Sequence, residues 1–124
     1  LPISALRFFT VYGPRQRPDL AIRKFTQMID EGKSIPVFGD GTTGRDYTFV
    51  EDIVSGILAA LQHDHLFEVF NLGNSHPVPL NQMISTIEKA LGRSAEIRRL
   101  PDQPGDVPIT YADITKANRM LGYE

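Results

Sequence analysis

Four arginines beside two glycine-bearing turns are the residues best suited to chemistry in this chain. Arg7, Arg15 and Arg17 surround Tyr12-Gly13-Pro14, and Arg45 directly follows Gly39-Asp40-Gly41-Thr42-Thr43-Gly44. A guanidinium presents a rigid fork of donors that makes bidentate, charge-assisted hydrogen bonds to a diphosphate. Mobile glycines beside it would let such a ligand close in. For Arg45 the competing reading is a turn ion pair with Asp46, and spacing alone does not separate the two. Four arginines in two loops suggest an anion.

The same glycines spell G-x-G-x-x-G from Gly39 to Gly44. A dinucleotide fingerprint needs a strand before it, a helix opening at its last glycine and an acidic residue about 20 positions on. Here Arg45-Asp46-Tyr47-Thr48-Phe49-Val50 follows, aromatic and β-branched at alternate positions, which reads as a strand. A strand, a glycine turn and a strand predict a hairpin over residues 34–50. No helix N-terminus is then available for a pyrophosphate, and the glycines are expected to supply positive φ angles instead.

The remaining polar residues offer less. His63 and His65 flank a helix end at i, i+2 and His76 lies in an Asn-Ser-His-Pro turn, a poor spacing for a metal, so all three are expected on solvated surface. Asp46, Glu51 and Asp52 read as turn and helix-start residues and give no pair of opposed carboxylates for a hydrolase. None of the serines stands in a G-x-S-x-G context, so nucleophilic catalysis has no support.

The elements that must position these residues alternate in type. The run Ile3 to Tyr12 is strand-like. Ala21, Phe25, Met28 and Ile29 fall at helical spacing after Pro18-Asp19 and stop at Gly32. Ile53, Ile57, Ala60 and Leu61 mark a second helix with Glu51 and Asp52 in its first turn. Val69 to Leu72 is a strand. Leu80, Met83, Ile84, Ile87 and Leu91 form the clearest amphipathic helix, ending at Gly92. Residues 95–100 look extended, a Pro/Gly-rich loop covers 101–108, and a short helix capped by Asp113 ends at Gly122. The order predicts a mixed α/β fold.

Composition narrows the class. The chain has 124 residues, 41% hydrophobic and 23% charged, with a formal net charge of −2. Thirteen basic against fifteen acidic residues leave no excess to neutralise a nucleic-acid backbone. No apolar run approaches the roughly 18 residues of a membrane-spanning helix. Without cysteine there is no disulfide, reactive thiol or thiolate metal site, which fits a reducing compartment, and cytoplasm is the expected location. The chain opens on Leu1-Pro2 and a strand-like run and ends on a helix, so an excised piece of a longer protein is expected.

Five linked motifs, in order along essentially the whole chain, resemble the nucleotide-sugar epimerases and dehydratases, which are extended short-chain dehydrogenase/reductases. They are Arg7-Phe8-Phe9-Thr10-Val11-Tyr12-Gly13-Pro14-Arg15-Gln16, Val37-Phe38-Gly39-Asp40-Gly41, Arg45-Asp46-Tyr47-Thr48-Phe49-Val50-Glu51-Asp52-Ile53, Phe70-Asn71-Leu72-Gly73 and Pro104-Gly105-Asp106-Val107. The resemblance implies the carboxy-terminal, substrate-binding part of such an enzyme, including the edge of its Rossmann-type sheet. Residues 1–13 would end the cofactor-binding domain, and 14–124 would form the nucleotide-sugar domain, with 51–75 packing back on the former. A full-length parent would be a cytoplasmic homodimer. Its NAD would be bound by an amino-terminal domain.

The string Thr10 to Asp19 and Gln103-Pro104-Gly105-Asp106-Val107 sharpen the resemblance toward UDP-glucuronate 4-epimerases. Many neutral-sugar relatives have asparagine at the Thr10 position, and many carry arginine where this chain has Pro104. By resemblance, Thr10 should hydrogen-bond the sugar carboxylate, Arg17 should lie near sugar and phosphates, and Arg45 should grip the diphosphate. Backbone groups of Pro36, Val37 and Phe38 would read the uracil, and Asp106 joins the substrate-binding set through its motif. The family's catalytic Tyr-x-x-x-Lys is absent, since no tyrosine here has lysine four positions on. No turnover is therefore expected from these residues alone.

In this family NAD removes hydride from C4, the tyrosine takes the hydroxyl proton, and the 4-keto sugar turns over before hydride returns to its other face. That division calls for strong charged contacts at the diphosphate and few, movable ones at the sugar. A 4-keto glucuronate is also a β-keto acid, prone to decarboxylate, so its carboxylate must be held out of alignment, and Thr10 is the candidate for part of that grip. A UDP-glucose 4-epimerase, another dehydratase or decarboxylase on the same scaffold, and a non-catalytic nucleotide-sugar binding protein are the alternatives.

Overall fold

Local sequence signals account for most of the elements. The computed structural model describes residues 1–124, in the order β1 (Ile3–Phe8), β2 (Thr10–Tyr12), α1 (Ala21–Asp30), β3 (Ile35–Phe38), β4 (Gly44–Phe49), α2 (Val50–Gln62), β5 (Phe67–Leu72), β6 (Pro77–Pro79), α3 (Leu80–Leu91), β7 (Ile97–Leu100) and α4 (Thr115–Leu121). The mixed α/β class expected from the sequence is present. Two compact units divide the chain, one from Leu1–Pro14, Arg45–Pro77 and Thr110–Glu124, the other from Arg15–Gly44 and Val78–Ile109.

In the first unit β1 and β5 pair in parallel, from Ile3↔Phe67 to Phe8↔Leu72. Alternate residues of β5 face inward, so Phe70 and Leu72 are fully buried and join Ile53 of α2 and Ala117 and Tyr123 of the last segment in one core. Burial of each large apolar side chain contributes on the order of 2 kcal/mol. Gly56 lets α2 approach: a Cβ there would stand 2.8 Å from Leu72 Cδ1. Opening α2 are Glu51 and Asp52, whose charges suit the positive end of the helix, as expected.

In the second unit β3 pairs in parallel with β7, Ile35↔Ile97 to Phe38↔Leu100. Ile35 and Val37 are fully buried, and α1 and α3 contribute Phe25, Ile29, Met83, Ile84 and Ile87 to the buried apolar set. The predicted periodicity of α3 is realised, and Gly92 ends it in the left-handed region at φ 65°. Beyond that cap the Glu88 carboxylate accepts the Ala95 N–H at 2.7 Å, turning the chain toward β7.

Four expectations need correction. The run Ile3 to Tyr12 is two strands, with β1 laddered to β5 and β2 laddered to β4. Residues 34–50 are not a hairpin, because β3 takes β7 as its parallel partner and β4 takes β2. Parallel partners arrive through long crossovers, so a strand, glycine turn and strand adjacent in sequence need not pair. Asp46 is no turn residue but a fully buried side chain. Finally, His65 is not simply solvated: its Nε2 lies 2.6 Å from Ser4 Oγ, its ring meets Phe70 edge-on at 5.8 Å, and its Nδ1 is buried without a partner.

Candidate functional site

In the first unit Thr10 opens β2 and stands opposite Tyr47 in the ladder Thr10↔Tyr47, Val11↔Thr48, Tyr12↔Phe49. Burial along β4 alternates strictly. Gly44, Asp46 and Thr48 are buried, while Arg45, Tyr47 and Phe49 are half-buried on the opposite face. Thus Thr10 and Arg45 sit on neighbouring strands, with Arg45 two residues before Tyr47, the ladder partner of Thr10. Burial pushes the Tyr47 phenol up, against the opposing pull of the Arg45 charge.

Asp46 accepts four hydrogen bonds. Its Oδ1 accepts the Asn74 N–H at 2.7 Å and the Thr48 hydroxyl at 3.0 Å. Its Oδ2 accepts the N–H of Ser75 at 2.9 Å and of Ala112 at 2.8 Å. Four donors offset the cost of burying the carboxylate completely. Sequence reasoning missed this residue, although the alternation of Gly44, Asp46 and Thr48 on one strand face was a usable signal.

In the second unit Pro36, Val37 and Phe38 lie in β3 beside Arg98, Arg99 and Leu100 of β7. The glycine loop that follows is well tied. Gly39 N–H donates to Leu100 O at 2.9 Å, and Arg99 Nη1 donates to Gly39 O at 3.2 Å. Asp40 accepts from the Thr42 N–H at 3.0 Å and its hydroxyl at 2.6 Å, contacts that hold its carboxyl below the usual range. Gly39 and Gly41 have φ of 68° and 82°, and a side chain at Gly39 would strike the Asp102 carboxylate. Positive φ angles were the expected role for these glycines. After Gly44 comes β4 rather than a helix, so the G-x-G-x-x-G run lacks the helix N-terminus that holds a pyrophosphate, and these residues do not fit NAD.

Arg17 is exposed and forks onto Asp19, with Nε at 3.1 Å from Oδ1 and Nη2 at 2.8 Å from Oδ2. That bond from Arg17 holds the Asp19 carboxyl below its ordinary range. Asp106 is exposed in the loop after β7, its N–H bonded to Gln103 O at 3.2 Å. The structure therefore places Thr10 and Arg45 in one unit, and Arg17, Pro36, Val37, Phe38 and Asp106 in the other. No group of three or more His, Cys, Asp or Glu residues could hold a metal ion.

Parallel strand pairs and four helices make this a mixed α/β chain. Residues 1–73 match the NAD dependent epimerase/dehydratase family, and the chain belongs to it. An uncharacterised protein of Methanocaldococcus jannaschii is 50% identical over 124 residues, covering 100% of this chain and 38% of its own length. UDP-glucuronate 4-epimerase of Thermodesulfobacterium geofontis is 43% identical over 125 residues, again covering 100% of this chain and 38% of that protein. The crystal structure of UDP-glucuronic acid 4-epimerase from Bacillus cereus, in complex with UDP-glucuronic acid and NAD, superposes with a TM-score of 0.93 at 42% identity, covering 100% of this chain and 40% of that one. The chain thus spans well under half the length of the relatives that it matches.

Proposed function

We propose that this chain is the carboxy-terminal, substrate-binding part of an NAD-dependent UDP-glucuronate 4-epimerase, which interconverts UDP-glucuronate and UDP-galacturonate. Its likeness, over its whole length, to the Bacillus cereus enzyme that holds UDP-glucuronic acid and NAD carries the reading. NAD supplies the hydride chemistry at C4 when bound, through a part of the parent outside residues 1–124. The cofactor-domain edge is residues 1–13, the substrate domain is 14–124, and 51–75 pack back on the former. The packing of 51–75 is supported by one compact unit that holds 1–14, 45–77 and also 110–124.

The residues of this chain bind and orient. β3 is laddered to β7 in a two-stranded sheet, so backbone groups on its other edge are left to pair with the amide of uracil around Pro36, Val37 and Phe38. Arg45 grips the diphosphate as a bidentate donor. Arg17 exchanges Asp19 for the phosphate side of the sugar, and Asp106 belongs to the same substrate-binding set. Thr10 bonds the sugar carboxylate, holding it away from the geometry that favours loss of carbon dioxide. With no Tyr-x-x-x-Lys, these residues anchor substrate without turning it over. The parent works as a cytoplasmic homodimer, and no helix of this chain is long and apolar enough to cross a membrane.

The test is to supply the full-length parent and NAD with UDP-glucuronate and UDP-glucose separately and to separate the products by chromatography. UDP-galacturonate from the first and nothing from the second is the expected result. UDP-galactose or a pentose product would move the activity to a sister enzyme.

A further inference from the structure

We infer that Asp46 is a positioning residue for the anion grip of Arg45: its buried carboxylate fixes the start of β4 and with it the direction in which the guanidinium leaves the strand. This rests on the proposed role of Arg45. Three observations carry it. The β2 ladder covers Tyr47 to Phe49 and stops short of Arg45. On its other edge β4 is laddered to β6 (Pro77–Pro79), and Arg45 stands between Gly44, whose N–H donates to Pro108 O at 2.7 Å, and Asp46. Asp46 in turn holds backbone N–H groups from two segments remote in sequence, residues 74–75 and residue 112.

Strand geometry converts that anchoring into aim. Successive side chains leave a strand on opposite faces, so a carboxylate locked on the inner face sets the plane from which its neighbour projects outward. An arginine side chain has several rotatable bonds, and a bidentate contact tolerates little error at its base. Asparagine cannot replace Asp46 here. Whichever way its amide is turned, an NH2 group faces at least one backbone N–H that now donates to the carboxylate, leaving that donor unpaired. The expected result is a β4 start that is still folded but no longer fixed.

Full-length parent bearing Asp46→Asn, Arg45→Gln and both together provides the test, with UDP and uridine affinities measured by calorimetry and ligand-observed NMR. Asp46→Asn should weaken UDP by about 10-fold and uridine by less than about 2-fold, because only UDP carries the diphosphate. In the Arg45→Gln background it should add less than about 2-fold, since both changes remove one contact. Equal losses on uridine and UDP, or losses that multiply, would show Asp46 to be a general structural residue and overturn the inference. Should Asp46→Asn not fold, Thr48→Val removes one of the four donors, and the same UDP-selective loss at about 3-fold decides the matter by the same criteria. An unchanged UDP affinity in Arg45→Gln alone would instead overturn the diphosphate role of Arg45.

Discussion

The hydroxyl of Tyr123 donates to the Gly73 carbonyl at 3.0 Å, joining residues 50 positions apart inside the core of the first unit. Tyr123 is only 3% exposed, so the bond is made away from water. Tyr123→Phe should lower unfolding stability by about 1–2 kcal/mol, since it leaves a buried carbonyl unpaired. Urea unfolding at neutral pH measures this.

The same phenol governs an alkaline limb. Burial first, then the Asp52 and Asp46 charges, pushes Tyr123 from 10.0 up to about 12. The folded state thus keeps its proton while the unfolded chain loses it. Stability from this group is complete below about pH 10 and is lost as pH rises through about 12. Unfolding midpoints of the wild type should fall across that window more steeply than those of Tyr123→Phe; parallel curves would refute the assignment.

Gly73 is packed from two sides. A Cβ there would stand 2.9 Å from Asp46 Oδ2 and 2.5 Å from Ala112 Cβ. Gly73→Ala should therefore cost about 1–3 kcal/mol through overpacking, with loss of the Asp46 bonds as part of it. Thermal unfolding, compared with Gly92→Ala, where no atom lies within 4 Å of the added Cβ, separates crowding from the strain of a positive φ.

Thr10 makes the proposal on substrate choice testable. In the full-length parent, Thr10→Ala should weaken UDP-glucuronate by about 10-fold, the value of one hydrogen bond to a charged group, and leave UDP-glucose nearly unchanged. Equilibrium binding of each nucleotide sugar is the measurement, and equal losses would remove Thr10 from the carboxylate grip.

One face of α2 carries an apolar stripe. Val54, Leu58 and Leu61 recur at i, i+4, i+7 and are 46%, 54% and 77% exposed. Phe8 on β1 is 50% exposed as well. The isolated 124-residue chain should self-associate through such surface, and Leu58→Glu with Leu61→Lys should reduce the apparent mass in light scattering at high concentration.

The legible parts of this fold are those decided by local sequence. The stripe of α3 and the glycine at its end follow from neighbours within four positions. The partners of β3 and β4 do not, because β7 lies some 60 residues beyond β3, and a strand followed by glycines looks alike whether or not it turns back on itself. The break at Phe9 between β1 and β2 has no proline, glycine or charge to mark it. Arg45 could be singled out because guanidinium chemistry is visible in one letter. For Asp46 only the strand alternation was legible; its partners Asn74, Ser75 and Ala112 were not, since nothing local connects those residues to it.

The interleaving of the two units has a consequence for synthesis on the ribosome. The second unit is complete once Ile109 has emerged, although its residues are enclosed in sequence by those of the first. The first unit must wait for Thr110–Glu124. At about 5–20 residues per second its first two segments, Leu1–Pro14 and Arg45–Pro77, wait seconds for the third, with the carboxylate of Asp46 still lacking the Ala112 N–H. Nascent chains therefore pass through an interval in which the younger unit is closed and the older one is open, and it is then that a chaperone would have the most apolar surface to hold.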